Sequence, residues 1–185
     1  MNALNVVVVS GSLRSPSKTR ALAELITSTL ATRLPVTVHW IDVHLLGPGF
    51  TTSLAREDVP PEVEGELRAA EQADLLIAAS PVFRASYTGL FKHFFDLIDQ
   101  YALASKPVML AATGGSDRHA LVIEHQLRPL FGFFQALTLP VGIYVSAADF
   151  AGQEILNPEI YARIEMAIDD VADLLRQRPQ TQAAG

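Results

Sequence analysis

The sequence predicts a doubly wound α/β domain, a parallel sheet with helices packed on both faces. Three observations carry that reading. Apolar runs of strand length alternate with amphipathic runs of helix length from one end of the chain to the other. The strand-like runs lack polar alternation, as expected where both faces of a sheet are covered. A stretch of hydroxyl and basic residues, Ser10-Gly11-Ser12-Leu13-Arg14-Ser15-Pro16-Ser17-Lys18-Thr19-Arg20, follows the first apolar run directly and opens a helical pattern.

The first strand spans about Leu4 to Ser10 and holds Val6 to Val9. A helix follows from roughly Lys18 to Arg33, with Leu22, Leu25, Ile26 and Leu30 at helical spacing, and Pro35 stops it. Val36 to Ile41 reads as a second strand. Asp42 to Pro61 is a long connection punctuated by Gly47-Pro48-Gly49 and Pro60-Pro61, of a length that is usually functional or covers an interface. A helix near Glu62 to Gln72 leads into a third strand, Asp74 to Ser80, which Pro81 ends. Tyr87 to Tyr101 reads as a helix, Pro107 to Thr113 as a fourth strand and Arg118 to Leu137 as a helix. A fifth strand from about Leu139 to Val145 and a last helix from Pro158 to Arg176 complete a domain of residues 1–177, with 178–185 expected as a flexible tail. Five strands with interposed helices and an anion-binding first loop fit the flavodoxin-like strand order 2-1-3-4-5, in which a ligand sits at the carboxyl ends of strands one, three and four.

Composition narrows the function classes. The 185 residues suffice for one domain with a real core, and 49% hydrophobic against 18% charged residues is a globular profile. A net charge of −6 with scattered Lys and Arg argues against nucleic-acid binding. With no cysteine, disulfides, thiolate chemistry and Cys-based metal sites are excluded, and the histidines lack metal-ligand spacing. No basic leader precedes the Val6–Val9 run, which is too short to span a membrane, so the expectation is a cytoplasmic protein.

All three loops at the expected ligand edge are unusual. In the first, helix N-terminal amides and Ser12, Ser17 and Thr19 hydroxyls suit a phosphate, and Arg14 can add a charge-assisted pair. Neither Gly-x-x-x-x-Gly-Lys-Ser/Thr nor Gly-x-Gly-x-x-Gly is present, so a triphosphatase or standard dinucleotide fold is not indicated, and Asp42 at the end of strand two carries little weight as a ribose ligand. The second loop, Ser80-Pro81-Val82-Phe83-Arg84-Ala85-Ser86-Tyr87-Thr88, leaves backbone groups free for a flat heteroaromatic, with Phe83 and Tyr87 as candidate walls. The third, Ala112-Thr113-Gly114-Gly115-Ser116, lets the main chain approach a ring. Together they describe a mononucleotide with a flat, hydrogen-bonding ring.

These motifs, Gly11 to Thr19, Pro81-Val82-Phe83 through Tyr87-Thr88-Gly89-Leu90-Phe91-Lys92, and Ala112 to Gly115, resemble the NADPH-dependent FMN reductases, most nearly the flavin reductase component of two-component alkanesulfonate and methanesulfonate monooxygenases. The resemblance runs from strand one to about Pro140. It implies that the FMN phosphate meets Ser10, Ser12, Arg14, Ser17, Lys18 and Thr19, with Leu13 also among the cofactor-binding residues. It places the isoalloxazine against Pro81, Val82, Phe83, Arg84, Tyr87 and the turn Thr113, Gly114, Gly115, Ser116. The family often has Tyr where this chain has Phe83, which removes a hydroxyl and keeps the wall. It further implies that NADPH or NADH gives a hydride to FMN, held as substrate or loosely, and that reduced FMN leaves for a monooxygenase. Such a transfer needs no protein acid or base, so no catalytic side chain and no metal ligand is nominated. Arg14 and Arg84 are candidates for holding the nicotinamide nucleotide. A prosthetic-FMN quinone or azo reductase and a flavodoxin-like electron carrier are the alternatives on the same scaffold.

In Glu124-His125-Gln126-Leu127-Arg128-Pro129, the proline has no N–H for the carbonyl of His125, four residues earlier, so a helical distortion centred on His125 is expected. A π-bulge is one way to absorb it. The sulfonate-linked reductases resemble this too: they carry an inserted residue here, commonly Tyr or His, in a π-helix at a tetramer interface that governs flavin exchange. Apolar residues on more than one side, Ile123, Leu127, Leu130, Phe131 and Phe134 but also Leu121, Val122 and Phe133, favour burial against a partner subunit in a homo-oligomer.

Overall fold

Val6 to Val9 are fully buried because strand β1 (Leu4–Ser10) is paired on both edges and covered on both faces. The protein was studied as a computed structural model that describes residues 3–177; the tail expected at 178–185 lies outside the described residues. β1 pairs in parallel with β2 (Val36–Asp42) and β3 (Leu75–Pro81), and β3 with β4 (Pro107–Gly114). β4 then pairs with β5 (Leu137–Thr138) and with β6 (Ile143–Ser146), giving the order 2-1-3-4-5 with the last position shared by two short pieces.

Because side chains alternate across a strand, each strand feeds two cores. Val6, Val8, Leu75 and Ile77 face Leu22 and Ile26 of α1 (Lys18–Ala31) and Ile164 and Ile168 of α6 (Pro158–Gln177). The opposite core holds Val7, Val9, Leu76 and Ala78. It is closed by the helix at Pro61–Gln72, the helix at Gly89–Asp96 and the helix at Arg128–Phe133. With the short helix at Gly47–Thr51, these are α2 (Gly47–Thr51), α3 (Pro61–Gln72), α4 (Gly89–Asp96) and α5 (Arg128–Phe133) in chain order. The long connection is thus partly helical, and its Phe50 is buried against the rings of His93 and Phe94.

Three expectations need correction. The helix expected over Tyr87 to Tyr101 is only α4, because Thr88 caps it by accepting the Phe91 N–H, so Tyr87 lies outside. The helix expected over Arg118 to Leu137 is broken into a 3₁₀ turn at Asp117–His119, a π-helical turn at Ile123–Leu127 and α5. Pro129 lacks the N–H that the carbonyl of His125 would need, and the chain widens so that the Arg128 N–H donates to Ile123 O, five residues back.

The expected fifth strand is interrupted at Pro140, which cannot donate to a ladder. Arginines fill the gap. Arg128 donates from Nη1 to Leu139 O at 2.9 Å and from Nη2 to Pro140 O at 3.2 Å, and Arg163 Nε donates to Gly142 O at 2.9 Å. A Cβ on Gly142 would come within 2.5 Å of Ile123 Cγ2, so the π-helical turn and the strand break are packed on each other.

Replacement of Arg128 by Ala leaves the carbonyls of Leu139 and Pro140 without their donor and Glu124 without its partner. We expect it to lower unfolding stability by about 2 kcal/mol, read as a drop of several degrees in thermal melts. Arg176→Ala, which removes an exposed pair with Asp173, is expected to leave the melt unchanged.

Candidate functional site

At the carboxyl edge, β1 ends under tight restraint. The Gly11 N–H donates to Ala79 O at 2.8 Å and the Gly11 carbonyl accepts from Thr88 Oγ1 at 2.7 Å. A Cβ on Gly11 would lie 2.8 Å from Ser80 Oγ and 2.9 Å from Phe91 Cβ, so only glycine lets the first loop leave the sheet beside α4. Ser17 caps α1 by accepting the Arg20 N–H at 3.2 Å. Helix geometry leaves the N–H groups of Lys18 and Thr19 without an intrahelical acceptor, aimed into the cleft above.

That cleft has a volume of about 440 Å³, within the range of small-molecule sites. The first loop contributes Ser12, Leu13, Arg14, Ser17, Lys18 and Thr19; the second, Pro81, Val82 and Phe83; the third, Thr113, Gly114 and Gly115. The loops are tied to one another by buried hydroxyls. Thr19 Oγ1 and Thr113 Oγ1 lie 2.7 Å apart, joining the first loop to the third. The Thr88 N–H donates to Ser80 Oγ at 3.2 Å, and Ser80 Oγ donates to Pro81 O at 3.0 Å.

Four residues expected at the ligand do not line the cleft. Ser10 is fully buried beneath the first loop. Tyr87 turns inward and packs on the Phe91 ring at 5.7 Å. Arg84 sits at the tip of a turn, with φ of 50°. The carbonyl of Ser116 accepts the Tyr144 hydroxyl at 2.6 Å. That contact also gives Gly114 its reason: a Cβ there would collide with the Tyr144 hydroxyl, whereas one on Gly115 would meet open space. Burial, with the fields of Asp117 and Asp149 behind it, raises the pKa of Tyr144, so the phenol remains a donor.

The sequence reading missed Pro16, Ala147, Phe150 and Gln153, which also line the cleft. The last two belong to a hairpin of β7 (Phe150–Ala151) and β8 (Glu154–Ile155), turned at Gly152 with φ of 63°. Asp149 anchors its base, accepting from Asn157 Nδ2 at 2.8 Å and from the Ser146 N–H and hydroxyl at 2.9 Å, bonds that hold its carboxyl below the usual range. Ser146-Ala147-Ala148-Asp149 is a capping-box pattern legible in sequence. Asp42 is engaged by Arg20 at 2.6 Å and is no free ribose ligand.

The residues fit a flavin mononucleotide. At one end stand the α1 amides, the unpaired Arg14 guanidinium, and Lys18, whose ammonium lies over the Phe150 ring at 4.9 Å. Ser10 Oγ, buried beneath the first loop, has no hydrogen-bond partner and does not reach the cleft. At the other end Val82 and the half-exposed Phe83 give apolar walls.

Gly114→Ala is expected to cost about 1–3 kcal/mol of stability through overpacking, measured by denaturant unfolding. The double variant Gly114→Ala/Tyr144→Phe, lacking the colliding hydroxyl, is expected to recover part of that loss.

Residues 4–151 match the family model described as NADPH-dependent FMN reductase. The chain is 51% identical over 171 residues to the NADH-dependent FMN reductase SfnF of Pseudomonas fluorescens, spanning 92% of this chain and 91% of that protein. It is 47% identical over 175 residues to an FMN reductase (NADPH) of Pseudomonas aeruginosa, spanning 95% and 94%. The X-ray structure of an oxidoreductase from Corynebacterium diphtheriae superposes with a TM-score of 0.84 at 34% identity, covering 97% of this chain and 100% of that one. Since the matched region takes in all three loops that build the cleft, the chain belongs to the NADPH-dependent FMN reductase family.

Proposed function

We propose that the protein is an NAD(P)H:FMN oxidoreductase that takes FMN as a substrate and supplies it, reduced, to a partner monooxygenase of the sulfonate-oxidising type. The observation that carries this reading is the cleft itself, which joins an anion-holding end to an apolar, ring-sized end in a chain of this family. Bound FMN supplies the chemistry by accepting a hydride from NAD(P)H. The chain's part is positional. Arg14, Lys18 and the amides of the α1 first turn hold the phosphate, and Phe83 and Val82 support one side of the ring. The third-loop backbone, braced by Tyr144, lies where its dipoles can stabilise charge gained on the ring. Relatives bearing NADH-dependent and NADPH-dependent names support the nucleotide class.

We place the protein in the cytoplasm as a homo-oligomer, most simply a tetramer, formed from one domain over residues 1–177. Among the described residues no helix is long and apolar enough to cross a membrane. Leu121 and Phe133 flank the π-helical turn and are 62% and 63% exposed, an apolar face suited to a second subunit. His125, on the same turn, is the residue proposed to link that contact to flavin exchange.

Flavin-stripped protein is expected to oxidise NADH or NADPH only when FMN is added, with reduced flavin appearing free in solution. Absence of turnover with both nucleotides would sink the reading, and turnover with flavin that never dissociates and needs a quinone would replace it by the prosthetic-flavin alternative. For His125→Ala, sedimentation is expected to show a smaller assembly and stopped-flow an altered flavin release rate. Unchanged values for both would remove His125 from the interface.

A further inference from the structure

The chain carries 20 Asp and Glu residues against 14 Lys and Arg, yet among the described residues that line the cleft none is acidic, while Arg14 and Lys18 both are present. The first turn of α1 likewise has no acidic residue, although a helix N-terminus favours negative charge. Arg20, which follows closely, is neutralised by Glu24 and Asp42 and lies 3.6 Å from the centroid of the Trp40 ring. Lys18 opens the helix, and among the described residues it pairs with no carboxylate.

Lys92 pairs with Asp96, and Lys106 donates to the Ala73 carbonyl. Lys18 instead has its Nζ 4.9 Å from the centroid of the Phe150 ring, and both residues line the cleft. The difference matters at an anion site. A carboxylate that holds an ammonium also cancels its field, whereas a ring face holds it through the ring quadrupole and leaves the positive charge intact. Phe150 is itself fixed from behind. It packs against the core shared by α1 and α6, and Ile155, its partner across the hairpin, is buried in that core with its carbonyl accepting the Tyr161 hydroxyl at 2.8 Å. The neighbouring acid, Asp149, is committed to the hairpin base by Asn157 and Ser146, and its carbonyl accepts the Leu156 N–H at 2.8 Å. Ser146 is in register with Gly114, so β6 delivers the hairpin beside the third loop, and Phe150 reaches from there to Lys18 of the first.

We propose that Phe150 is a positioning residue for the flavin phosphate: its ring seats the Lys18 ammonium at the cleft wall, and through Lys18 the hairpin sets how far FMN is preferred over the same ring system without a phosphate. An unseated lysine side chain loses rotamer entropy when a ligand orders it. A seat already present in the free protein removes part of that cost from binding. Phe150 need not touch the flavin to act in this way. The inference rests on the reading of the cleft as an FMN site with Lys18 at its phosphate end.

The test is equilibrium binding of FMN and of riboflavin, followed by fluorescence quenching, to flavin-stripped parent, Phe150→Leu, Phe150→Tyr, Lys18→Met and the double variant Phe150→Leu/Lys18→Met. Thermal melts check that each is folded, and Phe150→Met replaces Phe150→Leu if the latter is not. Phe150→Leu is expected to weaken FMN about 5-fold and riboflavin by less than about 2-fold. Phe150→Tyr, which keeps the ring face, is expected to match the parent. In the Lys18→Met background Phe150→Leu is expected to have no further effect, as for a residue that acts through the ammonium. Equal losses for the two flavins would overturn the proposal by placing Phe150 against the ring system itself. Unchanged FMN affinity in Phe150→Leu would overturn it too, as would the same loss in the Lys18→Met background as in the parent. A parent that shows the coupling but oxidises neither NADH nor NADPH with FMN added would instead overturn the reductase reading and leave the role of Phe150 standing.

Discussion

A strand buried on both faces and paired along both edges has one way out, over its carboxyl end, and that constraint organises the site. Val6 to Val9 are sealed between α1 and α6 on one side and α3 and α4 on the other. The chain must therefore emerge at Ser10-Gly11, between the ends of β2 and β3, and turn at once under the α1 N-terminus. Gly11 has no room for a side chain at that exit, and its two backbone hydrogen bonds hold the loop where the helix amides point into open space. The end of the cleft lined by the first loop is thus a consequence of how this buried strand terminates.

The hydroxyls of the three loops divide into two groups by burial. Thr19, Thr113, Ser80 and Thr88 are buried and bonded to one another or to backbone, so they act as struts that set the distances between loops. Ser12 and Ser17 line the cleft, and their oxygens already brace the loop and cap α1. A hydroxyl-rich loop reads in sequence as a set of ligand donors. In the fold much of it is scaffolding, with charge left to Arg14 and Lys18 and main-chain donors left to the first turn of α1.

What the sequence made legible follows from which signals are local. Fully apolar strands ended by Pro or Gly reveal the sheet, and each loop next to such an end falls at the ligand edge by topology alone. The π-helical turn was legible because the missing N–H of Pro129 is a covalent fact. Tyr87 was misplaced because its direction depends on where Thr88 starts α4, a choice made through contacts with Ser80 at the end of β3 and with Gly11, 77 residues away in sequence. The glycine at 114 was credited to the ligand, but its neighbour is Tyr144, thirty residues on and invisible to any local pattern. The β7–β8 hairpin escaped because strands of two residues show no periodicity, although it brings Phe150 and Gln153 to the cleft.

The π-helical turn also sets an angular relation. Each residue advances an α-helix by about 100°, so a turn that holds one residue more than the usual spacing rotates everything before it relative to everything after it. Downstream, Leu127, Phe131 and Phe134 keep a phase that buries them in the aromatic core. Leu121 before the turn and His125 within it are exposed, while Val122 stays buried and Ile123 is seated over Gly142. A single extra residue thereby uncouples the inward and outward faces of this segment, so that its outer surface can be re-aimed without repacking the core beneath it.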